Sequence, residues 1–380
     1  MSEQQIPTTH VGSLPRPPEL IGLFSKGAPA DVLESGIRQA VGDVVNRQSA
    51  VGITIVNDGE FGKPVLGEVD YAAFTRYRYE RLSGYEVVEI DEAEMHTGRD
   101  RRTFPEFYAS GEADMSSNGR QRTARCVGPI RYTGHAKVAR DIDNLKRAVA
   151  SSGAAGAFLT VIAPHDPGSP GSYYASAEEE GDALADALRE EIRLITDAGI
   201  AVQIDDARLG AEFEGRFSLD WDLAGFRRWA GRHLELINHA IEGVPQELLR
   251  YHLCWGSWKG PHSSDLPLSE AVDLMLSVDA SQYSIEAANP RHEHEWEVWR
   301  DTRLPEGKRL IPGVVTHKTN VLEHPEVVAQ RLVRYAELVG ASNVIAGTDC
   351  GMGGRIDPRL AWAKLGVLCE GARLASERVF

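Results

Sequence analysis

The sequence predicts an α/β protein of the (β/α)8 TIM-barrel class, with an elaborated loop excursion after the second strand. Three observations carry that expectation. Short β-branched runs that end in polar residues alternate with long amphipathic stretches, the pattern of βα units around a parallel sheet. Eight such runs can be counted. The residues able to do chemistry, His, Cys, Asp and Glu, fall at or just beyond the ends of six of them, where barrel proteins assemble their sites.

The first run is Thr8 to Ser13, and the second is Ile53 to Asn57, followed by Asp58-Gly59-Glu60. From about 61 to 134 the chain departs from the alternation. It is rich in charge and aromatics (Tyr77-Arg78-Tyr79-Glu80-Arg81, Asp100-Arg101-Arg102) before the short run Cys126-Val127-Gly128-Pro129-Ile130. This insertion is read as an antiparallel excursion or long loop over the barrel mouth, serving as lid, substrate wall or subunit contact. Ala157 to Ile162 is the third run. Leu184, Leu188, Ile192 and Ile195 then mark one face of a helix, whose opening Glu178, Glu179 and Glu180 complement the helix dipole as a solvated first turn. The fourth run, Ala201 to Asp205, ends in two acids, Asp205 and Asp206. Phe226, Leu234, Ile237 and Ile241 space out the next helix. Arg250 to Cys254, Gln282 to Glu286, Leu310 to Val315 and Asn343 to Gly347 complete the eight, with His317 and Cys350 just beyond the last two. No internal repeat, low-complexity tract or linker interrupts the chain, so residues 1–380 are expected to form one domain.

With 41 basic against 56 acidic residues the net charge is −15, which argues against nucleic acid and anionic membranes as partners and favours small molecules. At 42% hydrophobic and 26% charged, the composition is that of a soluble globular protein. No stretch of about 18 apolar residues occurs, and MSEQQIPTTH lacks the regions of a secretory signal, so a cytoplasmic location is expected. Four cysteines in this length do not make a disulfide framework, and a reducing compartment suits thiolates held for a metal.

His252-Leu253-Cys254, with Cys350 far downstream, is the most informative feature. Two ligands one residue apart face the same side of a strand end, so both reach one ion, and imidazole with thiolates is a soft set for zinc (Zn2+). The distant third ligand fits a catalytic site gathered from several elements better than a zinc-finger knuckle. His and Cys near a strand end are also common core residues, and that reading is kept for Cys126 and for Cys369, which lies in an apolar pattern with Leu365 and Leu368. The run Asn289-Pro290-Arg291-His292-Glu293-His294-Glu295-Trp296 resembles a metal motif but reads better as a loop shaping the mouth beside Glu286. Trp255 and Trp258 suit stacking on a flat donor or a place in the core.

Taken together, these residues make the chain resemble the catalytic C-terminal domain of cobalamin-independent methionine synthases, over nearly its whole length. Thr8-Thr9-His10-Val11-Gly12-Ser13 is similar to the family's opening strand and loop beside the amino-acid thiol, Asp58-Gly59-Glu60 to its acidic loop, and Gln203-Ile204-Asp205-Asp206 to its Gln-Ile-Asp-Glu segment. The resemblance implies Glu60 and Asp205 on the ammonium of homocysteine, the loop ending in Ser13 beside the substrate, and His252, Cys254, Glu286 and Cys350 as zinc ligands; Trp255 is a candidate substrate contact through its ring. It places His317 as general acid. The chain has no room for the additional N-terminal barrel of full-length members, which leaves the methyl donor open. Asp206-Ala207-Arg208 and the stretch from Trp255 to His262 depart from the synthase pattern. Short relatives include epoxyalkane:coenzyme M transferase, which applies the same logic to an epoxide.

Those residue types fit activation of a thiol by zinc for attack on a methyl or alkyl donor. Glu286 is expected as the exchangeable ligand or as a supporting residue around the ligands. Two carboxylates favour an ammonium-bearing thiol over a sulfonate, although Asp205, Asp206 and Glu60 also suit a capped helix start and a solvated loop. His317 suits protonation of a leaving atom in either reaction. The rivals are an epoxide-opening thiol transferase and a noncatalytic zinc or thiol-binding barrel.

Overall fold

The computed structural model describes residues 4–70, 73–91, 98–112, 120–165 and 171–380. Among the described residues nine strands run in chain order as β1 (Ile55–Asn57), β2 (Leu82–Asp91), β3 (Arg120–Tyr132), β4 (Gly156–Ile162), β5 (Ala201–Asp206), β6 (Leu249–Leu253), β7 (Gln282–Glu286), β8 (Arg309–Val315) and β9 (Gly347–Thr348). All but β2 and β3 form one parallel sheet in the order β1-β4-β5-β6-β7-β8-β9. Parallel strands are covered on both faces, which is why all five residues of β6 are buried. The helix Ala177–Asp197 shows how the cover is built. Ser176 Oγ accepts from Glu179 N at 3.2 Å, and Leu184, Leu188, Ile192 and Ile195 are at most 2% exposed. Burying each such side chain is worth about 1.5–3 kcal/mol. The first turn is only partly solvated: Glu178 and Glu179 are exposed, but Glu180 is buried and accepts from Gly171 N at 2.6 Å.

The closed eight-stranded barrel expected from the sequence is not formed. The sheet is an open seven-stranded half-barrel whose edges stand 10 Å apart. Thr8 to Ser13, the expected first strand, makes single bonds to both edges without becoming a strand. Thr8 bridges Ala346, its carbonyl accepts from Thr54 N and Ile55 N at 3.2 and 3.0 Å, and Thr9 N donates to Ala346 O at 2.8 Å. Hydroxyls take part in place of a ladder. Thr54 Oγ1 accepts from Thr8 N at 2.8 Å, and Thr9 Oγ1 donates to Ile55 O at 3.0 Å. Threonine side chains that bond nearby backbone in this way compete with regular pairing. At the other edge the expected strand 343–347 is reduced to Gly347–Thr348, with a tight turn at Ala341–Asn343 and a lone bridge from Val344 to Leu310.

Between β1 and β4, β2 and β3 pair antiparallel, with a register shift between Ser83 and Tyr85. Gly84 lies there at φ +86°, and a Cβ would come within 2.6 Å of Gly128 O, so only glycine fits the bulge. Buried charges anchor this segment to the sheet's helices. Arg81 reaches Asp141 at 2.5 Å and Glu191 at 2.6 Å, and Tyr77 donates to Glu191 at 2.7 Å. Breaking a buried pair of this kind costs about 3–5 kcal/mol. Farther along, the buried Asp100 accepts from Ser263 N at 2.9 Å and Ser264 Oγ at 3.0 Å, which seats the segment on the loop after β6. No helix among the described residues is long and apolar enough to cross a membrane.

Candidate metal centre

Parallel pairing aligns Asp205 with His252 and His252 with Ser284, so the carboxyl ends of the central strands form one rim. His252 is near the end of β6 and Cys254 follows two residues later on the same side. Asp349 N bonds Val315 O at 3.0 Å, and Cys350 comes next. The ligand atoms of His252, Cys254 and Cys350 all lie within 4.8 Å of one another, and no other such group occurs among the described residues. The two sulfurs are 3.8 Å apart and Gly256 N donates to Cys254 Sγ at 3.3 Å. His252 Nδ1 meets Ser284 Oγ at 3.2 Å, while its Nε2 is buried without a partner. A ring held at one nitrogen and bare at the other, beside two sulfurs, is compatible with metal ligation, although His10 and His233 are bonded in the same way without such neighbours. Two sulfurs and that imidazole fit zinc by chemistry and by this orphaned atom.

The electrostatics agree. The Cys254 thiol holds the Cys350 thiol well below its ordinary range, against the effect of burial and with help from His252. In return Cys350, together with burial, pushes Cys254 well above its own. Burial disfavours the His252 cation, yet its interaction with the Cys350 sulfur raises it. Two thiols this close do not both ionise unless a cation lies between them.

Glu286, the last residue of β7, is 1% exposed and does not join the three-residue group. Its Oε2 accepts from Asn289 Nδ2 at 2.5 Å and its Oε1 from Trp255 N at 3.4 Å. Burial pushes its carboxyl up to about 8, with Lys318 opposing and Asp349 and Cys350 adding to the rise. Asp349 Oδ1 accepts from both Ala287 N at 2.7 Å and Ala288 N at 2.9 Å, fastening the Cys350 segment to the turn after Glu286.

His317 lies two residues beyond β8, 2% exposed, with neither ring nitrogen bonded. Burial pushes it down to about 3, although the nearby Cys350 raises it. Ser13 is placed by its carbonyl, which accepts from Met352 N and Gly353 N at 2.8 and 3.1 Å, directly after Cys350. Asn57 Oδ1 and Asp58 Oδ1 accept from Gly59 N and Glu60 N, turning Glu60 inward at φ +63°. Glu60 is already engaged: Thr160 donates to it at 3.1 Å and Lys63 Nζ stands 3.5 Å away. Asp205 accepts from Gln203 at 2.7 Å. Burial pushes it up to about 7, with His252 lowering it and Glu60 raising it. The Trp255 indole is 1% exposed and donates to Leu266 O at 2.7 Å, a core position.

Asp206 faces away from the rim. It caps the next helix through Arg208 N and Leu209 N and accepts from Tyr251 and His233. The 289–296 run is not a metal group either. His292 bonds Asp265 at 3.1 Å and Glu295 at 2.7 Å, and His262 bonds Asp265 at 2.9 Å. Sequence reasoning missed Ser284, Gly256 and Asp349. Ser284 had a signal, being two residues before Glu286 on the same strand face.

The family model for the catalytic domain of cobalamin-independent synthase matches residues 173–373, a span that includes all of β5 to β9. The chain is 23% identical over 406 residues to the 2-hydroxypropyl-CoM lyase of Xanthobacter autotrophicus, covering 97% of this chain and 94% of that one. It is 24% identical over 384 residues to a methionine synthase of Sulfolobus acidocaldarius, covering 98% and 93%. The structure of a B12-independent methionine synthase from Shewanella sp. W3-18-1, in complex with selenomethionine, superposes with a TM-score of 0.72 at 19% identity, covering 99% of both chains, and so shares the fold. The chain belongs to the cobalamin-independent methionine synthase catalytic-domain family, to which epoxyalkane:coenzyme M transferases are related.

Proposed function

We propose that this chain is a zinc-dependent transferase that moves a methyl or other alkyl group to the sulfur of a small thiol such as homocysteine. The observation that carries the reading is the trio His252, Cys254 and Cys350, whose ligand atoms lie within 4.8 Å of one another, together with the unpartnered, buried Nε2 of His252. Held by these three residues, with Glu286 as a displaceable fourth, zinc would supply the Lewis acidity that keeps a thiol deprotonated and nucleophilic at neutral pH. Asp205 supplies negative charge for a substrate ammonium. Glu60 adds to it only so far as Lys63 leaves its charge unneutralised. Ser13 borders the acceptor through the backbone beside Cys350, and Trp255 supports the wall from the core. His317 hands a proton to the leaving atom. Its neutral ring gains that proton only when a negative group of the bound substrates restores its basicity.

A second reading, the opening of an epoxide by a thiol such as coenzyme M, draws support from the 2-hydroxypropyl-CoM lyase relative and from Lys63, which weakens the repulsion of a sulfonate. One set of measurements separates the two. Metal analysis should find about one zinc per chain, and Cys254→Ser or Cys350→Ser protein should lose it. Homocysteine should then add a sulfur to the X-ray absorption spectrum of the metal more readily than coenzyme M does. Full zinc in both serine variants would remove the metal reading, and the reverse order of thiols would put the epoxide first.

A further inference from the structure

We infer that Lys318 is a positioning residue that fixes the loop carrying Cys254, an assignment that rests on the metal reading above. An ammonium has three protons to donate. Lys318 Nζ meets three acceptors, Gly256 O at 2.6 Å, Trp258 O at 3.1 Å and His262 Nε2 at 2.9 Å. Gly256 is therefore held at both ends, its N–H on the Cys254 sulfur and its carbonyl on the ammonium. The turn has no slack: Gly256 has φ +94°, and a Cβ there would fall 1.7 Å from the Trp258 ring.

The far side of the clamp is equally fixed. His262 has φ +52°, a left-handed conformation that strains a residue other than glycine. It persists because the ring is fastened at both nitrogens and stacks on Trp258 with centroids 4.4 Å apart. Asp265 faces Nδ1 at 2.9 Å, and Nε2 stands between Lys318 Nζ at 2.9 Å and Trp258 O at 3.1 Å; with the ring proton on Nδ1 it accepts from Lys318. Asp265 then bonds His292, and His292 bonds Glu295. Lys318 itself stands on a braced segment. Its N donates to Thr316 Oγ1 at 3.1 Å, Thr316 N donates to Glu323 at 2.8 Å, and the fully buried Lys364 pairs with Glu323 at 2.7 Å. Through one ammonium, the loops after β6, β7 and β8 are tied together at the Cys254 sulfur.

Cobalt(II) titrated into the whole, metal-free protein tests this. Lys318→Met should weaken cobalt affinity by about 10–100-fold, the range for residues that orient ligands, and shift the thiolate-to-cobalt charge-transfer band while the unfolding midpoint stays near wild type. Lys318→Arg keeps the charge but presents a planar fork, and should behave like Met. Unchanged affinity and band in Lys318→Met, or full recovery with Arg, would overturn the role. Should Lys318→Met not fold, His262→Gln removes one leg of the clamp and is held to the same two readings. Should wild-type protein bind no cobalt, the metal reading fails and the clamp is judged by alkylation. Iodoacetamide should then label Cys254 severalfold faster in Lys318→Met than in wild type, with Cys369 unchanged, and equal labelling would overturn it.

Discussion

Two buried clusters of imidazole and acid stand side by side at the strand ends, and they differ in how completely their atoms are bonded. In the chain His262–Asp265–His292–Glu295 every imidazole nitrogen has a partner, and Glu295 also accepts from Leu268 N at 2.8 Å. Around Cys254 and Cys350 the bonding is incomplete: His252 Nε2 and both nitrogens of His317 are buried and bare. Leaving a buried polar atom unbonded costs about 1–3 kcal/mol, and here three such imidazole nitrogens gather beside two sulfurs. By residue type the 289–296 run is the richer metal motif. By bonding it is scaffold, and the sparser trio is the group that could hold a metal ion.

The sharpest way to break this contrast is to change one member on each side. His317→Asn should lower methyl transfer by roughly 10²–10⁴-fold with zinc content unchanged, and the loss should shrink for a sulfonium donor, whose leaving group needs no proton. Equal losses with both donors, or loss of zinc, would take His317 out of the acid role. Asp265→Ala should do the opposite. Removing the shared acceptor strands two imidazoles, at a cost of about 3–5 kcal/mol in urea unfolding, with the zinc stoichiometry retained. A stable Asp265→Ala protein that had lost its zinc would merge the two clusters into one.

A smaller effect sharpens the same point through pH. Burial alone would lower the His292 pKa, but its bonds to Asp265 and Glu295 raise it from 6.5 to about 10. A folded value above the unfolded one means the stabilisation is fully present below the unfolded pKa of 6.5 and is lost as pH rises through about 10. Urea midpoints of wild-type protein should therefore fall across that window. The decline should be shallower in His292→Gln, and identical slopes would show that His292 is not protonated in the fold.

The strand ends were legible because apolar β-branched runs stop at polar residues, and β5 to β8 fall where the sequence puts them within a residue or two. The closure was not, since Thr8 and Thr9 have strand-forming side chains whose hydroxyls bind neighbouring backbone instead of leaving it for a ladder. At the strand ends, His252 and Cys254 come together as their spacing implied, and Cys350 joins them from beyond the last strand. What escaped the sequence is competition among neighbours. Asn289 and the Trp255 amide occupy Glu286, and Lys63 occupies Glu60. Likewise, an adjacent pair such as Asp205 and Asp206 divides between rim and helix cap only because successive strand residues face opposite ways.

The seam between the two sheet edges also sets an order of assembly. Thr8 and Thr9 bond Ala346 on one side and residues 54 and 55 on the other, and Ile6 N donates to Ser376 Oγ at 2.9 Å. During synthesis the 54–55 side can dock almost at once, whereas the other waits until Ala346, about 290 residues farther along, has left the ribosome. Until then the segment that carries Ser13 rests on the 54–59 side alone, with nothing across the gap. The bonds beside Cys350 are thus among the late ones, and the candidate metal centre acquires its final shape only when the two ends of the chain meet.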